Sequence, residues 1–245
     1  MNKKLIYFGG AILALALVAY VGLTLFLGSV VKAGVNSFAP KLTQTKVELA
    51  GAHISPLTGS GTLSGLYVGN PNGWNSEKAF YLGKIHVEVS PFSVLGDHVV
   101  VREVFIDQPE FVYETKLVAS NIGDLLKNIE AAIGGGKDTA PTAKNGRPIK
   151  FEVKHFRLQN GRVTLGVGAT AVTMPMPPIE LNDLGTKEGG ITSEQLVVAV
   201  MRSVSSSVVT ATTQAAGKVG TTMGAAAAES AKKAGEGLKK LLGGK

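Results

Sequence analysis

Between Lys4 and Lys32 the chain carries no charged residue, so Leu5 to Val31 forms an uninterrupted run of 27 residues rich in Leu, Ala, Val and Phe. About 20 such residues cross the ~30 Å hydrocarbon core of a bilayer. As part of a soluble core, this run would need a protein able to bury a helix that is apolar on every side. A cleavable signal peptide is the nearer rival, since Val31-Lys32-Ala33 crudely fits a small-residue cleavage site. Its apolar region, however, is only about 7–15 residues long. The run is therefore read as an uncleaved anchor over 5–31, between a cytoplasmic amino terminus, 1–4, and a juxtamembrane stretch, 32–45. Lys3 and Lys4 are opposed by Lys32, Lys41 and Lys46, so the positive-inside count is nearly balanced and signal-anchor logic places the body outside the cytoplasm. Arg202, Lys218 and many Ser, Thr and Gly interrupt the later apolar positions, and the chain reads as single-pass.

Composition removes several classes of function. The 245 residues are 44% hydrophobic and 18% charged, which excludes a disordered, highly charged chain as a description of the whole. With no cysteine there is no disulfide scaffold, thiolate metal site or Cys nucleophile. A net charge of +7 admits nucleic acid or an anionic membrane as partner. Lys and Arg are scattered between strands without a recognition helix or an aromatic stacking set, so no nucleic acid is expected.

Beyond the anchor, the pattern predicts strands. Val47 to Ser55 and Thr62 to Val68 flank the turn residues Ser55-Pro56 and Thr58-Gly59-Ser60-Gly61 and make a hairpin. Ile85, Val87 and Val89 alternate with Lys84, His86, Glu88 and Ser90, the cleanest period-2 signal in the chain. Val99 to Ile106 is apolar on both faces, and Pro109 before Phe111, Tyr113 and Thr115 suggests an edge or a bulge. Ser120 or Asn121 caps a helix with Ile122, Leu125, Leu126, Ile129 and Ile133 on one stripe, ended by Gly134-Gly135-Gly136. A polar linker over 134–147 separates this β-rich unit, 46–133, from a second β segment, 148–185. There Ile149, Phe151 and Val153 alternate up to a phase shift at His155-Phe156. Asn160-Gly161 predicts a hairpin before Val163, Leu165 and Val167. Thr192 and Gln195 fit a capping box for an amphipathic, basic helix and tail over 192–245, with Val197, Met201, Val204, Val208, Ala211, Ala215 and Val219 on its stripe. Lys232, Lys233, Lys239 and Lys240, beside Leu238, Leu241 and Leu242, can lie on anionic headgroups; a solvated tail is an equal alternative.

Catalytic chemistry finds no support. His53, His86, His98 and His155 never take a metal-ligand spacing. Asp107, Glu110 and Glu114 are read as solvated strand charges. Gly59-Ser-Gly-Thr-Leu-Ser-Gly65 opens a strand rather than a helix, so it is no phosphate loop, and it does not fit the GxSxG elbow. Trp74 is read as a packed loop aromatic. No enzyme, cofactor or metal is expected.

The residues from Gly59-Ser-Gly-Thr-Leu-Ser-Gly-Leu-Tyr-Val-Gly-Asn-Pro-Asn-Gly-Trp74 through Ala79-Phe-Tyr-Leu-Gly-Lys-Ile85, Ile106-Asp-Gln-Pro-Glu-Phe-Val-Tyr-Glu114 and Ser120-Asn121 to Met176-Pro-Pro-Ile-Glu-Leu-Asn-Asp-Leu-Gly185 resemble the short bacterial AsmA-like proteins, relatives of the larger AsmA envelope family. Gly69, Asn70, Pro71 and Gly73 form the family's turn motif. The resemblance implies an α+β protein of the bacterial inner membrane. It would have an N-terminal transmembrane helix, a periplasmic antiparallel β-rich sheet with one packed helix, and a long C-terminal amphipathic helix. It further implies a role in outer-membrane biogenesis, phospholipid transport or homeostasis, or regulation of protein targeting to the membrane. The partners would be bacterial membrane lipids, envelope proteins or a second copy. Some eight strands at ~4.8 Å spacing make a sheet only about 40 Å across, too small to bridge an envelope alone. Ile85, Val87, Val89, Val163, Leu165 and Val167 are the candidate apolar face for lipid or partner, unless they pack against the chain's own helices. The rivals are a scaffold bound through edge strands such as Phe111 to Thr115, and a desiccation-type β-sandwich.

Overall fold

The computed structural model describes residues 3–116, 119–134, 142–143 and 146–214. Helix α1 runs unbroken from Lys3 to Thr43, so residues 32–43 of the expected juxtamembrane stretch are its last turns. The reason lies in the side chains beyond Lys32: Ala39 and Leu42 continue a helical stripe that packs onto the body, and Leu42 is buried. Gln44, at φ 54°, ends the helix in the left-handed region with its N–H on the Pro40 carbonyl at 2.9 Å.

The chain then forms β1 (Val47–Ile54), β2 (Ser60–Gly69) and β3 (Lys78–Val89), an antiparallel meander. A 3₁₀ turn, Pro91–Leu95, leads into β4 (His98–Asp107) and β5 (Glu110–Tyr113). After the short pair β6 (Thr115–Lys116) and β7 (Ala119–Ser120) comes α2 (Asn121–Gly134). The second segment supplies β8 (Lys150–Gln159), β9 (Arg162–Leu165), β10 (Val172–Pro175), β11 (Ile179–Leu184) and β12 (Ile191–Thr192), followed by α3 (Ser193–Gln214).

The sheet is mixed, not purely antiparallel as expected. β4 lies parallel to β8, and β5 parallel to β9, in one register from His98 opposite Lys150 to Tyr113 opposite Leu165. Parallel neighbours need a crossover, and α2 lies in it. Asn160-Gly161 is accordingly no hairpin. Gln108 and Asn160 both sit at φ 54° and bend two long neighbouring strands at the same level. The sheet therefore has two halves that share β1, β2 and β3. One continues through β4, β8 and β11; the other continues through β5, β9 and β10. Phe111 and Tyr113 are buried in the middle of the second half, which corrects the expectation of an edge strand there. Ten of the described strands make one curled sheet, β6 and β7 pair only with each other, and the described strands form no two-sheet sandwich.

A second device explains the broken alternation. Inward residues change parity within strands whose pairing stays in register: Leu66 to Leu63 across Gly65 in β2, Phe80 and Leu82 to Ile85 across Gly83 in β3. The same change occurs from Val153 to Phe156 in β8 and from Leu184 to Leu181 across Asp183 in β11. Gly65 at φ 64° and Asp183 at φ 54° mark two of these creases.

Ile122, Leu125 and Ile129 of α2 and Met201, Val204, Val208 and Ala211 of α3 join Phe80, Ile106, Val153, Phe156 and Leu158 of the sheet in one core. Both helices start as the sequence predicts. The Ser120 hydroxyl accepts from the Gly123 N–H at 3.1 Å. In the capping box, Gln195 Oε1 accepts from the Thr192 N–H at 3.0 Å while Thr192 Oγ1 accepts from the Gln195 N–H at 3.3 Å. Helices α1 and α3 are each long and apolar enough to cross a membrane. α3 lays its apolar stripe on the core, whereas most of the apolar side chains of α1 before Lys32 are exposed.

The second half of α1 lies along β1 and runs opposite to it. Tyr20 Oη is 3.2 Å from Ser55 Oγ, and Gly28 faces Ala52. Asn36 Oδ1 accepts the Leu49 N–H at 2.6 Å while its Nδ2 donates to the Leu49 carbonyl at 3.4 Å. A Cβ on Gly28 would fall 2.2 Å from the Ala52 carbonyl oxygen, whereas one on Gly34 meets nothing within 4 Å. Alanine normally improves a helix over glycine by about 0.5–1 kcal/mol. Gly34→Ala should therefore stabilise the full-length chain in detergent, while Gly28→Ala should destabilise it. Asn36→Ala should cost about 1–3 kcal/mol by orphaning a buried N–H. Urea melts of the three variants check the signs.

Candidate functional site

The predicted apolar face falls largely inside the molecule. Ile85 is 6% exposed and Val163 fully buried, while Val87, Val89 and Leu165 are half-buried and packed on the same core as α2 and α3. Val167 is half-buried. The helices that the sequence also predicts cover the face, so Ile85 and Val163 are core residues and offer no open surface. Lys232, Lys233, Lys239 and Lys240 lie outside the described residues.

One of the accessible clefts among the described residues, of about 740 Å³, lies where the last turn of α2 and the first turns of α3 part above β11 and β12. Ile133, Leu184, Ile191 and Val198 line it, and Arg202 meets Glu130 across it at 2.7 Å. The strand register fixes which end of the sheet this is. Leu184 is opposite Val153, and Ile191 opposite Phe151; Phe151 is beside Val99, close after the Pro91–Leu95 turn. That end also holds the β1–β2 turn, where Tyr20 of α1 meets Ser55. The cleft thus opens at the end from which the uncharged first half of α1 departs.

The opposite end carries the turn motif, built on a buried carboxylate. Glu114 is 5% exposed and accepts hydrogen bonds from the Ser76 N–H (2.8 Å), the Asn75 N–H (3.0 Å), Asn70 Nδ2 (3.3 Å) and the Ser76 hydroxyl. Asn121, wholly buried at the start of α2, receives the Glu114 N–H on Oδ1 and donates through Nδ2 to Asn70 Oδ1 (2.8 Å) and the Val112 carbonyl (2.7 Å). Gly69 donates its N–H to the Lys46 carbonyl, Pro71 is buried, and Gly73 takes φ 92°. Trp74 Nε1 donates to Asp124 at 3.2 Å, and Lys116 lies over its ring at 4.7 Å while donating to the Gly73 carbonyl. The motif ties β2, β5 and α2 together.

This corrects the reading of the acidic group. Asp107 and Glu110 are exposed, Glu110 pairing with Lys78 at 2.9 Å, but Glu114 is a buried, fully bonded carboxylate. The signal that could have found it is a carboxylate placed just before a helix cap and just after a buried aromatic. As a chemical group Glu114 is spoken for, since its donors hold it as an acceptor. Burial pushes its pKa up, but the bonds from the Ser76 hydroxyl and the Ser76 and Asn75 amides outweigh burial and hold it below the usual carboxylate range.

The histidines stand apart. His86 faces Glu88 at 3.6 Å, His98 faces Glu152 at 3.3 Å, and His155 Nδ1 is 2.9 Å from Asn182 Oδ1. Among the described residues, no three His, Asp or Glu side chains are grouped to hold a metal ion. No family model matches the chain, and no curated protein or solved structure matches it either.

A lowered folded-state pKa at Glu114 means that its contribution is present above the unfolded carboxylate range and is lost as pH falls through the folded value. Glu114→Gln should lower stability at neutral pH by about 1–3 kcal/mol. The gap to the parent should close on acidification. Thermal melts of both proteins from neutral to acidic pH test this; a gap constant with pH overturns it.

Proposed function

We propose that this chain is a non-enzymatic, single-pass anchored protein of the AsmA type that handles phospholipid at the surface of the membrane it is rooted in. The bacterial inner membrane, with the amino terminus cytoplasmic and the body periplasmic, is the location that goes with this reading. One observation carries it: the apolar cleft between α2 and α3 opens at the end of the sheet from which the uncharged half of α1 leaves. A lipid acyl chain would meet Ile133, Leu184, Ile191 and Val198 there, and the Glu130–Arg202 pair would stand beside it. The rest of the concave face is filled by the chain's own core, so uptake would proceed by parting α2 from α3. The Glu130–Arg202 ion pair that joins the two helices is exposed, and an exposed pair opposes such parting only weakly.

The adaptor reading moves to a new place. β10 and β11 end the two halves of the sheet with an open edge, and Val172 on β10 is 55% exposed. A protein strand added along β10 would bind away from the cleft, which borders the end of β11.

Native mass spectrometry of the detergent-solubilised full chain separates the two. Phospholipid should remain on the folded parent and on Val172→Asp, and should fall about tenfold on Val198→Asp, the loss expected when a charge enters an apolar site. A folded parent free of lipid, or equal lipid on all three, would overturn the lipid reading.

A further inference from the structure

The end of the sheet beside Tyr20 is unusually apolar for a surface. Leu57 in the β1–β2 turn is 76% exposed, and in the Pro91–Leu95 turn Phe92, Val94 and Leu95 are 88%, 53% and 84% exposed. The two turns touch: the Val89 N–H donates to the Gly59 carbonyl at 2.9 Å, and a Cβ on Gly59 would meet Val89 and Pro91. Arg102 ties the tip down by donating to the Thr58 carbonyl at 3.1 Å. These four side chains therefore form one projecting apolar tip on short, bonded turns, where a protein facing only water would place polar residues.

Helix α1 gives the tip a depth. From Lys4 to Tyr20, where the helix meets the tip, 16 residues at 1.5 Å rise cover about 24 Å. The hydrocarbon core is ~30 Å thick, and any tilt of the helix widens the shortfall. The uncharged run continues past Tyr20 to Val31. The outward face of α1 stays apolar along β1, with Leu25 64% and Phe26 63% exposed. The apolar layer therefore reaches past Tyr20 and takes in the tip.

We propose that the turns at 55–59 and Pro91–Leu95 are a second membrane contact, sunk into the interfacial layer of the bilayer that α1 crosses. The anchor alone leaves the sheet free to swivel about the bilayer normal and to lean. With the tip as a second support, lean is fixed and the cleft mouth is held against the headgroups. The inference rests on α1 being the anchor and holds whether or not the cleft takes lipid.

The chain has no cysteine, so single cysteines at Leu57, Phe92 and Leu95 can carry an environment-sensitive fluorophore without background. Leu15 on the anchor and Asn72 on the opposite end of the sheet serve as references. The full-length protein is placed in nanodiscs of phosphatidylethanolamine and phosphatidylglycerol, with and without doxyl-labelled lipid. Probes at 57, 92 and 95 should be blue-shifted and quenched about twofold or more, as for a side chain ~5–10 Å into the headgroup boundary. Asn72 should be unaffected. Quenching at Leu15 with a solvent-like signal at all three tip positions overturns the second contact and leaves the anchor standing. Loss at Leu15 as well overturns both. A tip signal that depends on the number of protein copies per disc, rather than on doxyl lipid, assigns the tip to a second copy and also overturns the proposal.

Discussion

The two-way bond between the Asn36 amide and the backbone of Leu49 is the joint on which the arrangement depends. β1 is an outer strand, and its free side would present unpaired N–H and C=O groups. α1 covers that side, and Gly28 removes the Cβ that would hold helix and strand apart. An apolar helix alone would tether the body loosely. A helix that is also the sheet's edge cover holds one direction relative to every strand behind it. Asn128 of α2 extends the joint by donating to the Thr43 carbonyl at 3.0 Å, so α1 is tied to the helix layer as well as to the sheet.

Elements defined by local signals were legible in the sequence. The long N-terminal apolar helix, the β1–β2 hairpin, the α2 stripe and cap, and the Thr192–Gln195 box each depend on residues near one another in the chain. Strand partnership was not. Asn160-Gly161 supplies a left-handed residue, and a tight hairpin and a bend within a long strand both need one. What would have decided between them is a comparison within the chain. Val101-Arg-Glu-Val-Phe-Ile-Asp-Gln-Pro-Glu-Phe and Val153-Lys-His-Phe-Arg-Leu-Gln-Asn-Gly-Arg-Val match in their inward residues, their cation and their left-handed amide, and these are the two strands that lie side by side in parallel.

The creases misled in the same way. Inward residues two apart and then three apart look like a bulge in one strand, as at His155-Phe156. In the folded sheet the change is shared by β8 and β11 without loss of register, and Asp183 takes the positive φ. Such a crease curls a sheet and leaves pairing intact, and only the neighbouring strand reveals it. Glu114 was misread for a related reason. Alternation and parity describe what a strand shows to water, whereas Glu114 sits just past the end of β5, where the 70–76 loop folds back to supply its donors. Its burial is a property of that loop.

The curl of the sheet constrains function. The curled sheet offers a concave apolar face, but α2 and α3 occupy it, and the stability of the body rests on that occupation. Any ligand for this face must therefore compete with Ile122, Leu125 and Ile129 on one side or with Met201, Val204 and Val208 on the other. The two helices are not equal in that competition. α2 is held at its start by Asn121, Ser120 and the Glu114 network, so it is fixed from the end of the sheet opposite the β1–β2 turn. α3 begins beside the cleft with a capping box exposed to water, and its stripe includes small residues such as Ala211. A ligand entering between them would displace the start of α3 more readily than the start of α2, whose first residue Asn121 is wholly buried and bonded to Glu114, Asn70 and Val112.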